Sequence, residues 1–345
     1  MQLNLKEIMK DLLAPDDTRD ALRKYGGLLV GLGVLMLVLR RQEDSGNFLN
    51  FLLYAGAAVL LYGEGTFSDR LTGGVRPWQA VYSVFGLLFV PLALSEFVDL
   101  IGDPGDGGEA LNVFWIFGVT AALGFYAGAV KGIRFQLLAG SIATIVAWTA
   151  LWDKLLGDEG IAGHFGTYRG LLGILAILLL AGALYLWRES PDSRVTNTAV
   201  NDGGDQGLWK ASELITGAGI SAVIACSLGI SSIVTTLGPL GFGQFTVVET
   251  AQTWDILLLV ISLGLVGLGS TIGTRGPVYV GAIGLLLWLF IVGLDLNDDT
   301  PEPDKVGLWP IILLVGGGLA IACSAVKEAS LGDQPKKAVK SLRGK

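Results

Sequence analysis

The stretch GLGSTIGTRGPVYVGAIGLL, residues 267–286, decides how this chain is read. Gly267, Gly269 and Gly273 approximate the spacing of a dinucleotide-binding loop, which would make the protein a nucleotide binder. Such a loop must follow a strand, open a helix and be followed by an acidic residue about 20 positions on, all in water. Here the glycines close one nearly uncharged run and precede another that continues to Leu294. Gly269 and Gly273 form a G-x-x-x-G pair, a spacing that lets helix backbones approach closely where lipid gives no hydrophobic drive between helices. The following TRGP makes a tight turn, with Pro277 in the first turn of the next helix. The nucleotide reading lacks its structural context, and the stretch instead predicts a transmembrane hairpin.

The rest of the chain has the same character. It is 52% hydrophobic and only 16% charged, with a mean hydropathy of +0.59, far more apolar than a soluble domain of 345 residues. The apolar residues fall into blocks at 26–39, 47–62, 79–101, 111–130, 135–153, 167–187, 211–237, 254–273, 277–294 and 308–326. A bilayer core of about 30 Å takes roughly 20 helical residues, so the first two blocks are short and the others adequate. Backbone polar groups in hydrocarbon must be paired within the segment, and no block alternates with the period of two that a barrel strand needs. The expected fold is therefore all-α, a polytopic transmembrane bundle of about ten helices.

Lys and Arg placement gives the orientation. With a cytoplasmic N-terminus and ten crossings, 19 of the 24 basic residues fall inside, leaving Arg40, Arg41, Lys154, Arg169 and Lys305 outside. If block 26–39 does not cross, the division falls to 14 against 10, a poorer fit. Both termini are expected in the cytoplasm of a multi-pass cell-membrane protein. Tryptophans near block ends, among them Trp78, Trp115, Trp152, Trp187, Trp209, Trp254 and Trp309, match the headgroup preference of indole; Trp148 and Trp288 lie deeper.

Three regions follow: residues 1–25, a bundle over 26–326, and a basic cytoplasmic tail over 327–345. In residues 1–25, Leu5, Ile8, Met9, Leu12 and Leu13 share a helical face, and Pro15 would end that helix. The segment reads equally as an interfacial helix on the inner membrane surface or as a solvated lead-in. Within the bundle, GAVKGIRFQLLAGSI (128–142) aligns without a gap on GSTIGTRGPVYVGAI (269–283), pairing Gly128 with Gly269, Gly132 with Gly273, Arg134 with Arg275 and Gly140 with Gly281. This predicts a parallel hairpin repeat over 124–155 and 265–296, with Gly128, Gly132, Gly269 and Gly273 as helix-packing residues.

Ionisable groups in hydrocarbon are costly and usually face protein or water, which singles out Glu96, just past Pro91 in the third block. Glu96 reads either as a proton or cation site or as a group reaching the headgroups. The seventh block is rich in polar groups. Glu213, Ser227, Ser231, Ser232 and Thr235 could line a wet path, or its hydroxyls could bond neighbouring helices and their own preceding carbonyls. His164 has no visible carboxylate or thiol partner in its loop, and Cys226 and Cys323 sit in apolar blocks, so no metal, cofactor or catalytic set is expected. The function expected first is a carrier or channel for a small solute or ion. The alternative is a non-catalytic membrane scaffold or accessory subunit assembled through Gly-rich helix faces, and an enzyme is not expected. The bilayer is the expected partner, together with a membrane protein or a second copy of the chain. Acidic outer loops and a net charge of −7 argue against nucleic acid.

Overall fold

The structure, a computed structural model, describes residues 17–41, 47–68, 77–102, 109–157, 164–188, 206–236 and 252–293. These residues are all-helical: α1 (Asp17–Arg41), α2 (Asn47–Phe67), α3 (Pro77–Ile101), α4 (Ala110–Phe125), α5 (Gln136–Leu156), α6 (Phe165–Arg188), α7 (Gln206–Thr236), α8 (Gln252–Ile272) and α9 (Arg275–Gly293). Six helical segments among them are long and apolar enough to cross a membrane: Asn47–Phe67, Trp78–Ile101, Ala110–Val130, Phe165–Arg188, Gly207–Leu228 and Thr253–Ile272. In α5, Gln136, Asp153 and Lys154 dilute the apolar run, and α1 and α9 carry shorter apolar segments, Tyr25–Leu37 and Arg275–Leu289. The tenth block, 308–326, lies outside the described residues.

The first two helices outrun their apolar blocks. Residues 17–25 are continuous with α1, because Leu, Arg, Ala and Lys are good helix formers whether or not they lie in hydrocarbon. The second block ends at 62, yet α2 continues to Phe67 through Gly63, Glu64 and Gly65. Tertiary packing explains this extension: a β-carbon at Gly65 would stand 2.5 Å from the backbone nitrogen of Ser83, so the glycine admits α3. Gln79 Nε2 donates to Ser68 Oγ at 2.7 Å just past the end of α2, while Thr66 and Ser83 share a hydrogen bond of 3.3 Å.

α2 and α3 form one antiparallel pair, closed at the other end by Phe51 against Phe97 and Tyr54 against Phe89. Tyr62 ties this pair to the remainder, its hydroxyl donating to the Leu123 carbonyl on α4 at 2.8 Å. The larger core is built around α7, which packs against α5, α6, α8 and α9. Residues buried inside the protein make up 72% of the apolar window of α7 and no more than 39% of any other span. α7 is thus a helix enclosed by protein, while its neighbours keep an apolar side facing outward.

The hairpins α4–α5 and α8–α9 share geometry at corresponding positions. Gly132 and Gly273 take left-handed φ values of +71° and +75°, a conformation that costs other residues about 1 kcal/mol or more. A β-carbon at Gly128 would stand 2.8 Å from the Leu137 nitrogen, and one at Gly269 would stand 2.9 Å from the Val278 nitrogen. One turn further in, Gly140 faces the backbone of Ala121 and Phe125, and Gly281 faces the backbone of Ser262 and Val266. The turns themselves differ. α8 ends in a helix-closing bond from Thr274 N to Gly269 O at 2.9 Å, whereas α4 widens into a π-helical turn, Tyr126–Val130, and closes through Ile133 N to Ala127 O at 3.1 Å.

Candidate functional site

The first turns of α7 supply two charges that grip the α4–α5 turn. Lys210 Nζ donates to the Ala129 carbonyl at 2.8 Å, at the C-terminal end of the first helix. Glu213, three residues further along, accepts from the backbone N–H groups at the start of α5: Phe135 at 2.5 Å, Leu137 at 3.1 Å and Leu138 at 3.4 Å. A helix begins with unpaired N–H groups and a partial positive charge and ends with unpaired carbonyls and a partial negative charge. The cation therefore sits at the negative end of one helix and the acid at the positive end of the next. Phe135 is the one non-glycine among the described residues with positive φ, +68°, and its N–H is one of those held by Glu213.

The hydroxyls of α7 have close partners too. Thr216 Oγ1 donates to Ser212 O at 2.6 Å and Ser227 Oγ to Ile224 O at 3.3 Å, both within the helix. Ser221, with no exposed surface, donates to the Leu172 carbonyl of α6 at 2.9 Å. Ser231, Ser232 and Thr235 lie on the helical backbone of α7, beyond its described side chains, which end at Leu228.

Glu96 belongs to a different place. It is half-buried on α3 and hydrogen-bonds the side chain of Asn50, a buried residue of α2, with Tyr54 of α2 and Asp99 of α3 close enough to interact electrostatically. α3 runs as one helix through Pro91. No described contact joins Glu96 to Glu213, so the two sequence-derived acids form two separate sites.

Around the N-terminal end of α6 is a third polar group, which the count of basic residues placed on the outer side. Arg169 is only 7% exposed; its guanidinium lies 5.0 Å from the centre of the Trp254 ring, and its Nε has no hydrogen-bond partner among the described residues. Next to it Tyr168 donates to Asp153 Oδ1 at 3.2 Å, and Trp148 Nε1 donates to the Leu171 carbonyl at 3.0 Å. The available signal was position: Arg169 falls inside the block 167–187, two residues past its start. His164 sits just before α6, its carbonyl accepting the Tyr168 N–H at 3.0 Å. Cys226 is a buried free thiol on α7, and Cys323 lies outside the described residues.

Among the described residues, no three His, Cys, Asp or Glu side chains come together as metal ligands. The chain matches no protein-family model, no curated protein and no solved structure.

Proposed function

We propose that this chain is a ten-span membrane protein with both termini in the cytoplasm, acting as a non-catalytic scaffold or accessory subunit. One observation carries the reading: five polar groups of α7 are engaged with backbone. Lys210 and Glu213 cap the ends of two other helices, Thr216 and Ser227 bond their own helix, and Ser221 bonds α6. A transport path needs polar groups converging on a common space near the midplane. Groups committed to holding helices in place fit a structural role better.

The topology is tested with single cysteines in an otherwise cysteine-free chain. Those at Gly105 and Asp299 are expected to react with an impermeant thiol reagent added to intact cells, while those at Gly203 and Lys337 react only after permeabilisation. Protection of the first two in intact cells would overturn the ten-span arrangement.

A carrier is the second reading, favoured by Glu96, whose half-buried carboxyl pairs with an amide instead of capping a helix. In vesicles carrying the purified protein under a proton gradient, the scaffold reading expects no protein-dependent proton flux and no difference between wild type and Glu96→Gln. Gradient-driven flux that Glu96→Gln abolishes would replace the scaffold by a proton-coupled carrier.

A further inference from the structure

A groove of about 600 Å³ runs between α6 and α8 with α7 as its floor. Its walls are apolar. Three glycines on them, Gly170, Gly173 and Gly264, each face open space, where an added β-carbon would meet nothing within 4 Å. They differ from Gly128 and Gly269, where a β-carbon would meet neighbouring backbone. Internal packing gives these three no reason to be small, but a wide groove does.

Arg169 closes one end of the groove, backed by Trp254. Asp255 and Cys226 lie close enough to interact with its charge, yet the guanidinium Nε remains without a hydrogen-bond partner among the described residues. A buried cation with unused donor capacity calls for an acceptor. From Arg169 to Leu180, both lining residues, α6 rises roughly 16 Å at 1.5 Å per residue. One leaflet of hydrocarbon is about 15 Å deep. The groove is therefore as long as one leaflet, apolar along its length, open at the sides, and cationic at the end where Trp254 lies beside Arg169, as a headgroup-level aromatic does.

We propose that this groove holds an acyl chain of an anionic membrane lipid whose headgroup phosphate pairs with Arg169. Charge complementarity selects the occupant: the phosphate supplies the missing acceptor, and a guanidinium binds phosphate through paired N–H donors. The assignment is the same for a scaffold and for a carrier.

The test uses Trp254 as reporter. The purified full chain is reconstituted in vesicles containing phosphatidylglycerol or phosphatidylcholine with brominated acyl chains, which quench nearby indoles, and the Trp254 share is isolated by difference from Trp254→Phe. Phosphatidylglycerol is expected to quench Trp254 with about fivefold higher apparent affinity, the worth of one basic side chain beside an anionic lipid. Arg169→Gln should bring the two lipids level, and Gly173→Leu, which fills the groove while retaining Arg169, should weaken quenching by both. Inorganic phosphate should leave the preference unchanged. Equal quenching in wild type, undiminished quenching in Gly173→Leu, or an unaltered preference in a folded Arg169→Gln, would overturn the proposal. So would loss of the preference on adding phosphate, which marks a soluble anion, or self-cross-linking of Ile177→Cys together with absent quenching, which marks a second copy in the groove.

Discussion

Gly86→Ala is expected to abolish or severely reduce the folded protein, although it adds a single methyl group. The new β-carbon would overlap the backbone nitrogen and Cα of Tyr62, atoms that cannot move aside as a side-chain tip does. The α2–α3 pair would have to separate along its length, because Gly65 and Ser83 lie in the same crossing. Tyr62 would also shift its hydroxyl away from Leu123, the bond that ties the pair to α4. Overpacking a tight site ordinarily costs about 1–3 kcal/mol, and a backbone-on-backbone overlap belongs at or above the top of that range. The control is in the same helix pair. Gly56 of α2 has nothing within 4 Å of its would-be β-carbon, so Gly56→Ala should stay within about 1 kcal/mol of wild type, or exceed it through better helix propensity. Thermal unfolding in detergent, monitored by helix signal, compares the two. Equal stability of Gly86→Ala and Gly56→Ala would mean that the α2–α3 crossing is not as close as described.

Glu213→Ala should have the next largest effect. It leaves the N–H groups of Phe135, Leu137 and Leu138 without their acceptor at the start of α5. It also frees Phe135 from the contact that holds its left-handed backbone. A stranded buried donor costs about 1–3 kcal/mol; Leu137 and Leu138 bond in part-buried positions while the exposed Phe135 can turn to water, so a total loss of about 2 kcal/mol is expected. Glu213→Gln keeps one acceptor oxygen and should recover part of that loss. The comparison separates a cap from a transport group: a cap yields a graded loss of stability in the order Glu, Gln, Ala. Unchanged stability in both variants would release Glu213 from its structural role and return it to the list of path residues.

Helix positions were legible because hydrocarbon demands apolar runs of a given length, and the blocks 167–187, 254–273 and 277–294 lie within a few residues of α6, α8 and α9. The ends were less so. At Gly63–Gly65 the local signals favour stopping, and only the approach of α3, invisible in the sequence around α2, keeps the helix going. The G-x-x-x-G spacing marked all four paired glycines as packing residues. Gly128 and Gly269 do face neighbouring backbone, but Gly132 and Gly273 face open space and are small because their φ is left-handed, a need the spacing did not mark. Glu213 was readable as an acid inside an apolar block but not as a cap, because its partners are backbone N–H groups, which every residue but proline carries and which no sequence pattern marks. Arg169 was missed for a related reason. Counting basic residues by loop treats an arginine near a block edge as solvated, whereas the turn of α6 draws it inward against Trp254.

The grip of α7 on the α4–α5 turn also bears on how the protein is made. Lys210 meets Ala129 across 81 positions of chain, and Glu213 meets Phe135 across 78. When α4 and α5 leave the ribosome and enter the bilayer, the residues that secure their turn have not yet been translated. At roughly 5–20 residues per second, the wait lasts on the order of ten seconds, with the first N–H groups of α5 exposed and Phe135 unlatched. During that interval the hairpin depends on water at the membrane surface or on an assembly factor to satisfy its start. A nascent chain stalled after α6 should be far more open to proteolysis at Lys131–Phe135 than one stalled after α7.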